Sequence, residues 1–115
     1  MKNLLFIALL ISGISFAQNT SLELEREGKL VKAVYYFDNG TVQQEGHFLN
    51  GKLEGKWISY NQTGEILSVA EYTNGNKTGK WIIYAQDTPV KEVDYVSNQI
   101  ISIRETTTNA IASKN

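Results

Sequence analysis

The sequence predicts an all-β protein, a single-layered antiparallel β-meander built of hairpin repeats of about 24 residues. The first observation is an internal repeat, because residues 50–60 return as residues 74–84 with seven of the eleven positions identical. The second is a series of short segments rich in Val, Ile and Tyr, with a turn signal roughly every 8 to 12 residues. No segment after the N-terminal region shows a helical period. A repeat of fixed spacing indicates units that each pack on their neighbours.

The predicted strands lie between these turn signals. They are residues 30–37, 42–49, 55–61, 66–73, 79–85, 90–96 and 100–104. The predicted turn residues are Asn39, Gly40, Asn50, Gly51, Gly64, Asn74 and Gly75. The Asn-Gly pairs are strong hairpin signals because both central residues of a type I′ turn need a positive φ. Residues 51–55 are predicted to form a turn, and so are residues 87–89, which contain the single proline.

Both faces of the predicted sheet carry large apolar groups. Side chains alternate along a strand, so Trp57 and Tyr60 point to opposite faces, as do Trp81 and Tyr84. A β-sandwich would separate apolar from polar faces more cleanly, which favours the single-layered sheet. The repeated aromatic residues form a candidate ladder: Tyr36, Trp57, Tyr60, Trp81 and Tyr84. Such a ladder either holds the sheet together or forms a binding surface, and both interpretations stay open.

The first 17 residues are predicted to be a signal peptide. Lys2 precedes an apolar run, and Ser15 and Ala17 place small residues where a signal peptidase reads them. Cleavage would leave no integral membrane segment and would place the protein in the periplasm or outside the cell. The remaining chain divides into an N-terminal arm or capping strand at 18–28, a repeat domain at 29–105 and a flexible tail at 106–115.

Composition excludes several classes of function. The chain has 11 Lys and Arg against 12 Asp and Glu, and removal of Lys2 with the signal leaves 10 against 12. No basic run is present, so no nucleic-acid partner is predicted. The chain has no Cys, and His47 is its single His, which leaves no set of ligands for a metal site and suggests a half-exposed strand residue. Because no catalytic or phosphate-binding motif is found either, we predict no cofactor and no enzyme activity.

The repeat resembles the MORN-repeat variant found in bacterial proteins, including some labelled as antitoxin components of toxin–antitoxin systems. The resemblance rests on Tyr-x-x-x-Gly, an aromatic residue before Asn-Gly, and then Gly-Lys-Trp-x-x-Tyr, and it covers about residues 28–96. Residues 36–60 and 60–84 are good copies, whereas the first and last copies are degenerate, as terminal repeats often are. The resemblance implies an antiparallel sheet of hairpins that serves as a scaffold or a binding surface.

The predicted function is therefore an exported, non-catalytic module that binds another protein or acts as a scaffold. The alternative is a binding module for envelope glycan or lipid that uses the aromatic ladder. An antitoxin or immunity role is a third interpretation. Export argues against it, because an exported protein leaves the cytoplasm, where most such toxins act. Unpaired sheet edges would also permit self-association.

Overall fold

The computed structural model describes residues 21–105, which form nine strands of one antiparallel sheet. The strands are β1 (Ser21–Glu27), β2 (Leu30–Tyr36), β3 (Val42–Leu49), β4 (Lys52–Tyr60), β5 (Ile66–Thr73), β6 (Asn76–Lys77), β7 (Gly79–Ala85), β8 (Thr88–Val96) and β9 (Gln99–Arg104). They lie side by side in chain order, except that β6 and β7 both pair with β5. The predicted all-β antiparallel meander is confirmed.

The two ends of the chain lie outside the described residues. The predicted signal peptide at 1–17 and the predicted tail at 106–115 both belong to those ends. Of the predicted arm at 18–28, residues 21–27 form β1, which pairs along its whole length with β2. None of the residues from 21 to 105 lies in a helix, so none forms a helix that could cross a membrane.

Glycines place a bulge in each copy of the repeat. The prediction of a turn over residues 51–55 is wrong, because β4 begins at Lys52 and continues through Gly55. Gly55 has φ +78°, and the register between β3 and β4 shifts beside it. In the second copy Gly79 has φ +68° and follows a break in the strand between β6 and β7. A residue in this left-handed region is a bulge residue, for which glycine is the default.

The Asn-Gly turns are of two kinds. Asn50 and Gly51 have φ of 52° and 80°, and the equivalent Asn74 and Gly75 have 53° and 86°, as a type I′ turn requires. At residues 39–40 the type I′ prediction is wrong, because only Gly40 has a positive φ. That turn is a longer loop, in which the Gly40 amide donates to the Phe37 carbonyl and the Phe37 amide donates to the Thr41 carbonyl. The loop at residues 61–65, with Gly64, has the same pair of bonds.

The turn that was predicted at residues 87–89 lies one residue earlier. Gln86 and Asp87 have φ of 53° and 64°, and β8 already begins at Thr88. Pro89 is therefore a strand residue rather than a turn residue, and it pairs with Tyr84 where the register shifts. The first residues of a strand and its bulges are the places where a sheet tolerates proline.

The core lies on one face of the sheet. Its buried residues are Val31, Ala33, Tyr35, Phe48 and Trp57, with Leu22, Leu24, Leu53, Ala70 and Tyr72 packed against them. Strand alternation and the register place Trp81 on this same face, which we call the aromatic face. The side chains of Tyr36, Tyr60 and Tyr84 lie on the other side of the sheet, the opposite face. The single layer therefore has one predominantly apolar side, and it is centred on Trp57.

Candidate functional site

A cleft of about 570 Å³ opens on the aromatic face. Residues of β2, β3, β4, β5 and β7 line it, and its walls are mainly aromatic and apolar. Its aromatic lining residues are Tyr35, Phe48, Trp57, Tyr72 and Trp81. A volume of this size falls in the range of protein ligand sites, which is about 300–1,000 Å³. All nine described strands belong to one sheet, so no second sheet covers the cleft within residues 21–105.

Trp57 forms the floor of the cleft. The bulge at Gly55 precedes it, and its ring lies over Gly46 of β3, where a side chain would leave no room. Its indole Nε1 donates a hydrogen bond of 3.0 Å to the His47 carbonyl. The Phe48 ring meets the Trp57 ring edge to face, with 5.1 Å between the ring centroids. Trp57 is only 7% exposed. Trp57 is packed as a core residue whose polar atom is satisfied.

Trp81 repeats this arrangement less tightly. Its indole Nε1 donates to the Glu71 carbonyl at 2.9 Å, which is the equivalent of the Trp57 bond one repeat later. The Tyr72 and Tyr95 rings lie 5.2 and 4.9 Å from it. Ala70 stands where the first copy has Gly46, and Trp81 is half-buried rather than buried. The second copy therefore presents more of its indole to the cleft.

A lysine covers part of the Trp81 site. The Lys77 Nζ lies 5.2 Å from the centroid of the Trp81 ring and 5.3 Å from that of Tyr95, distances at which an ammonium group interacts favourably with an aromatic face. The first copy has Leu53 at the equivalent position, and that residue packs on the core. The two tryptophan sites thus differ, since an apolar side chain, Leu53, lies at the first and a cation, Lys77, lies at the second.

Polar groups in the cleft are few. Gln44, Ser59 and Ser68 line one end, and Ser59 and Ser68 face each other across β4 and β5. Lys52 lies at the rim beside the Asn74-Gly75 turn, and it is the one charged side chain among the lining residues that the structure describes. The cleft is therefore an apolar surface with a small number of hydrogen-bonding groups and a positive rim.

The candidate aromatic ladder is divided between the two faces. The structure brings Trp57 and Trp81 together at the cleft, whereas Tyr36, Tyr60 and Tyr84 lie on the opposite face and cannot contribute to it. The Tyr60 hydroxyl donates to Glu45 at 2.5 Å, and the Tyr36 hydroxyl donates to Glu23 at 2.8 Å. Burial, and then the bond to Glu45, raises the pKa of Tyr60 to about 12. Tyr36 and Tyr60 of the opposite face therefore tie neighbouring strands together by hydrogen bonds.

Four aromatic residues outside the candidate ladder complete the aromatic face. They are Tyr35, Phe48, Tyr72 and Tyr95. The repeat carries a signal for two of them, because Phe48 and Tyr72 are 24 residues apart. The other two lie outside the good copies, and only the strand register shows that they contact a tryptophan. Burial raises the pKa of Tyr35 to about 12.

The predicted turn residues lie away from the cleft floor, with two exceptions at its rim. Gly51 and Gly75 line the cleft at the end where Lys52 lies. Their partners Asn50 and Asn74 shape the same turns, and the Asn74 amide donates to the Glu54 carboxylate at 2.7 Å. The turn residues Asn39, Gly40 and Gly64 lie at the other end of the strands. The turns join the strands whose residues line the cleft.

His47 lies on the opposite face. Its Nε2 is 3.1 Å from the Glu27 carboxylate, and its side chain is 32% exposed. Between residues 21 and 105 there is no group of three or more His, Cys, Asp or Glu side chains that could hold a metal ion.

The chain matches no family model, and it has no significant match among curated proteins or among solved structures.

Proposed function

We propose that this protein is an exported, non-catalytic binding module that holds an extended, largely apolar segment of another protein in the cleft of the aromatic face. The observation that carries the proposal is the cleft itself, which lies on the apolar side of a single-layered sheet. A contiguous apolar surface is costly to expose to water, and exposed apolar patches are typical of interaction sites.

The lining chemistry supports a peptide as the ligand. Aromatic residues dominate the walls, and rigid aromatic side chains are favoured anchors at protein interfaces. The amide of Gln44 and the hydroxyls of Ser59 and Ser68 can donate to and accept from a peptide backbone. Lys52 adds one positive charge at the rim, which favours a segment that carries a carboxylate near its apolar side chains.

The alternative of a glycan-binding platform receives less support from the geometry. Stacking of a sugar needs an accessible ring face, and the Trp57 side chain is only 7% exposed. The neighbouring rings meet each tryptophan at 54° to 75° in the Phe48, Tyr72 and Tyr95 pairs, which is packing geometry rather than a flat row. Trp81 remains the one indole that a flat ligand could reach.

Export and the resemblance to bacterial MORN-repeat variants set the context of the proposal. The N-terminal apolar run favours a partner in the periplasm or outside the cell. An open repeat sheet used as a binding surface agrees with the resemblance. An antitoxin or immunity role fits the same surface, with a toxin as the bound protein, but export argues against a cytoplasmic toxin.

The proposal can be tested with a phage-displayed library of random linear peptides panned on the immobilised protein. The matched variants are Ser68→Arg, which places a long side chain in the cleft, and Leu67→Arg, which adds the same charge at a neighbouring residue outside the cleft lining. We expect enrichment of peptides rich in apolar and aromatic residues on the native protein and on Leu67→Arg. Synthesised peptides should shift the fluorescence of Trp57 and Trp81, the two tryptophans of the chain.

Circular dichroism would first establish that both variants fold. Loss of peptide binding in Ser68→Arg alone would support the cleft as the site. Equal binding to both variants, or no enrichment on the native protein, would contradict the proposal. A fluorescence shift with envelope oligosaccharides in place of peptides would favour the glycan alternative.

A further inference from the structure

The two edges of the sheet have different chemistry. β1 forms one edge and β9 the other, so each leaves a row of backbone N–H and C=O groups without a strand beside it among the described residues. Such edges can pair with another chain, and proteins commonly guard them with charged side chains. The two strands can therefore be compared as possible pairing surfaces.

The β1 edge is guarded by charge. Four of its seven residues are ionised: Glu23, Glu25, Arg26 and Glu27. Its apolar residues, Leu22 and Leu24, turn inward and pack against the core. A strand that paired with β1 would lie beside three glutamates, two of which already bind Tyr36 and His47.

The β9 edge is apolar and open. Its side chains are all exposed, and Ile100, Ile101 and Ile103 are 53%, 64% and 54% exposed. Val96, in the adjoining strand β8, is 56% exposed. The single charged residue of β9 is Arg104, at its end, where the guanidinium binds Glu92 at 2.5 Å. Nothing in the described part of the chain covers these isoleucines.

We propose that β9 is a dimerisation edge, on which a second copy of this chain pairs its own β9 in antiparallel orientation. The contact uses the same strand on both chains, as a twofold-symmetric interface requires. Antiparallel pairing places the two Arg104 residues at opposite ends of the contact, so like charges are kept apart. Residues 99–103 of both strands are uncharged, and pairing would bury part of the apolar surface of the exposed isoleucines of both chains.

The difference between the charged β1 edge and the apolar β9 edge limits assembly to a dimer. A head-to-tail contact of β9 with β1 would place glutamates beside Ile101, and it would leave a free edge for further growth into a filament. In the symmetric contact both outer edges are β1, and their glutamates repel one another. This inference is independent of the proposed peptide cleft, because Ile100, Ile101 and Ile103 are not among its lining residues.

Sedimentation velocity on the protein purified from cells that express the full chain tests the inference. The matched variants are Ile101→Lys on the edge and Leu67→Lys on a strand inside the sheet, where Leu67 is 44% exposed. We expect a concentration-dependent dimer for the native protein and for Leu67→Lys. Ile101→Lys should weaken the dimer by about tenfold or more, because it removes an apolar contact and brings a like charge from each chain onto the paired strands.

Hydrogen exchange then assigns the edge. The β9 amides that point away from β8 should be protected in the native dimer and should lose that protection in Ile101→Lys, whereas the β4 amides should remain protected in both. A monomeric native protein across the concentration range, an Ile101→Lys dimer of undiminished affinity, or a native filament would each overturn the inference. Protection of these outward amides in a monomer would show that another segment of the same chain pairs with them, and it would overturn the inference.

Discussion

The ring of Trp57 lies directly over Gly46, where a Cβ atom would approach the ring carbon Cδ2 to 2.1 Å. Glycine is therefore required at this position by close packing, and not by its φ, which lies outside the left-handed region. One repeat later Ala70 occupies the equivalent position, and Trp81 is half-buried. This pair of residues explains why two copies of one motif pack differently, and it leads to the first prediction.

Gly46→Ala is expected to lower the free energy of unfolding by about 1–3 kcal/mol, because the added methyl group forces the Trp57 ring to move. Urea denaturation followed by circular dichroism measures the change. A double-mutant cycle supplies the control: in a Trp57→Leu background the same Gly46→Ala change should cost much less. An equal cost in both backgrounds would show that the clash with the ring is not the cause.

Trp57→Ala is expected to destabilise the protein by about 3–5 kcal/mol, since it empties the centre of the core. Trp81→Ala should cost less, because the Trp81 side chain is only half-buried and lies at the edge of the cleft. Thermal unfolding of the two variants provides the comparison. If Trp81→Ala were the more destabilising change, the core would not be centred on the first copy.

Gly55→Ala should destabilise the protein by about 1–2 kcal/mol through its left-handed backbone alone, because a Cβ at this position meets no atom within 4 Å. Gly79→Ala adds a contact, since its Cβ would lie 2.6 Å from the Glu71 carboxylate, which must move aside. The informative control is Gly55→Asn, because asparagine tolerates the left-handed region better than alanine. Its free energy of unfolding, measured in urea, should lie between those of the native protein and Gly55→Ala. A fully stable Gly55→Ala would mean that the bulge can change its conformation without cost.

Stability is expected to fall as the pH rises from about 10 to about 12. The pKa of Tyr60 is raised from 10.0 to about 12, by burial and then by the hydrogen bond to Glu45, and the pKa of Tyr35 is raised to about 12 by burial. A group whose pKa is higher in the folded protein than in the unfolded chain stabilises the fold at pH values below its unfolded-state pKa. This stabilisation is lost as the pH rises through the folded-state pKa. Urea denaturation at a series of pH values measures this decline.

Tyr60→Phe serves as the test of that assignment, since phenylalanine has no hydroxyl to titrate. The variant should show a shallower decline in stability between pH 10 and 12, with the remaining decline due to Tyr35, Tyr36 and Tyr72, whose pKa values are also raised. A decline as steep as that of the native protein would exclude Tyr60 as a contributor.

Strands in the repeated part of the chain were predictable from local pattern. The predicted bounds 42–49, 66–73 and 79–85 agree with β3, β5 and β7, because alternating side chains and flanking turn residues act within a few positions of the chain. The errors at residues 51–55 and at Pro89 have a common cause. Glycine and proline signal turns in a sequence, yet in this sheet they lie in bulges or at the start of a strand, which depend on the partner strand.

The candidate site was predicted in part. Trp57 and Trp81 were identified by repetition, and they do meet at one cleft. Tyr35 and Tyr95 were missed because their importance comes from neighbours in the register, with Trp57 in one case and Trp81 in the other. Tyr36, Tyr60 and Tyr84 share the repeat spacing but lie on the opposite face, as the alternation of side chains along a strand already indicated for Tyr60 and Tyr84.

The sequence by itself determined the all-β class, the order of the hairpins and the phase of the repeat, because these follow from alternation, turn chemistry and spacing along the chain. Only the tertiary structure decided which face becomes the core, how deeply each tryptophan is buried and which edge of the sheet is left apolar. These features depend on contacts between residues that are far apart in the chain. The Trp57 ring packs over Gly46 because β3 and β4 are neighbours in the sheet. The isoleucines of β9 are exposed because no described strand lies on the outer side of β9.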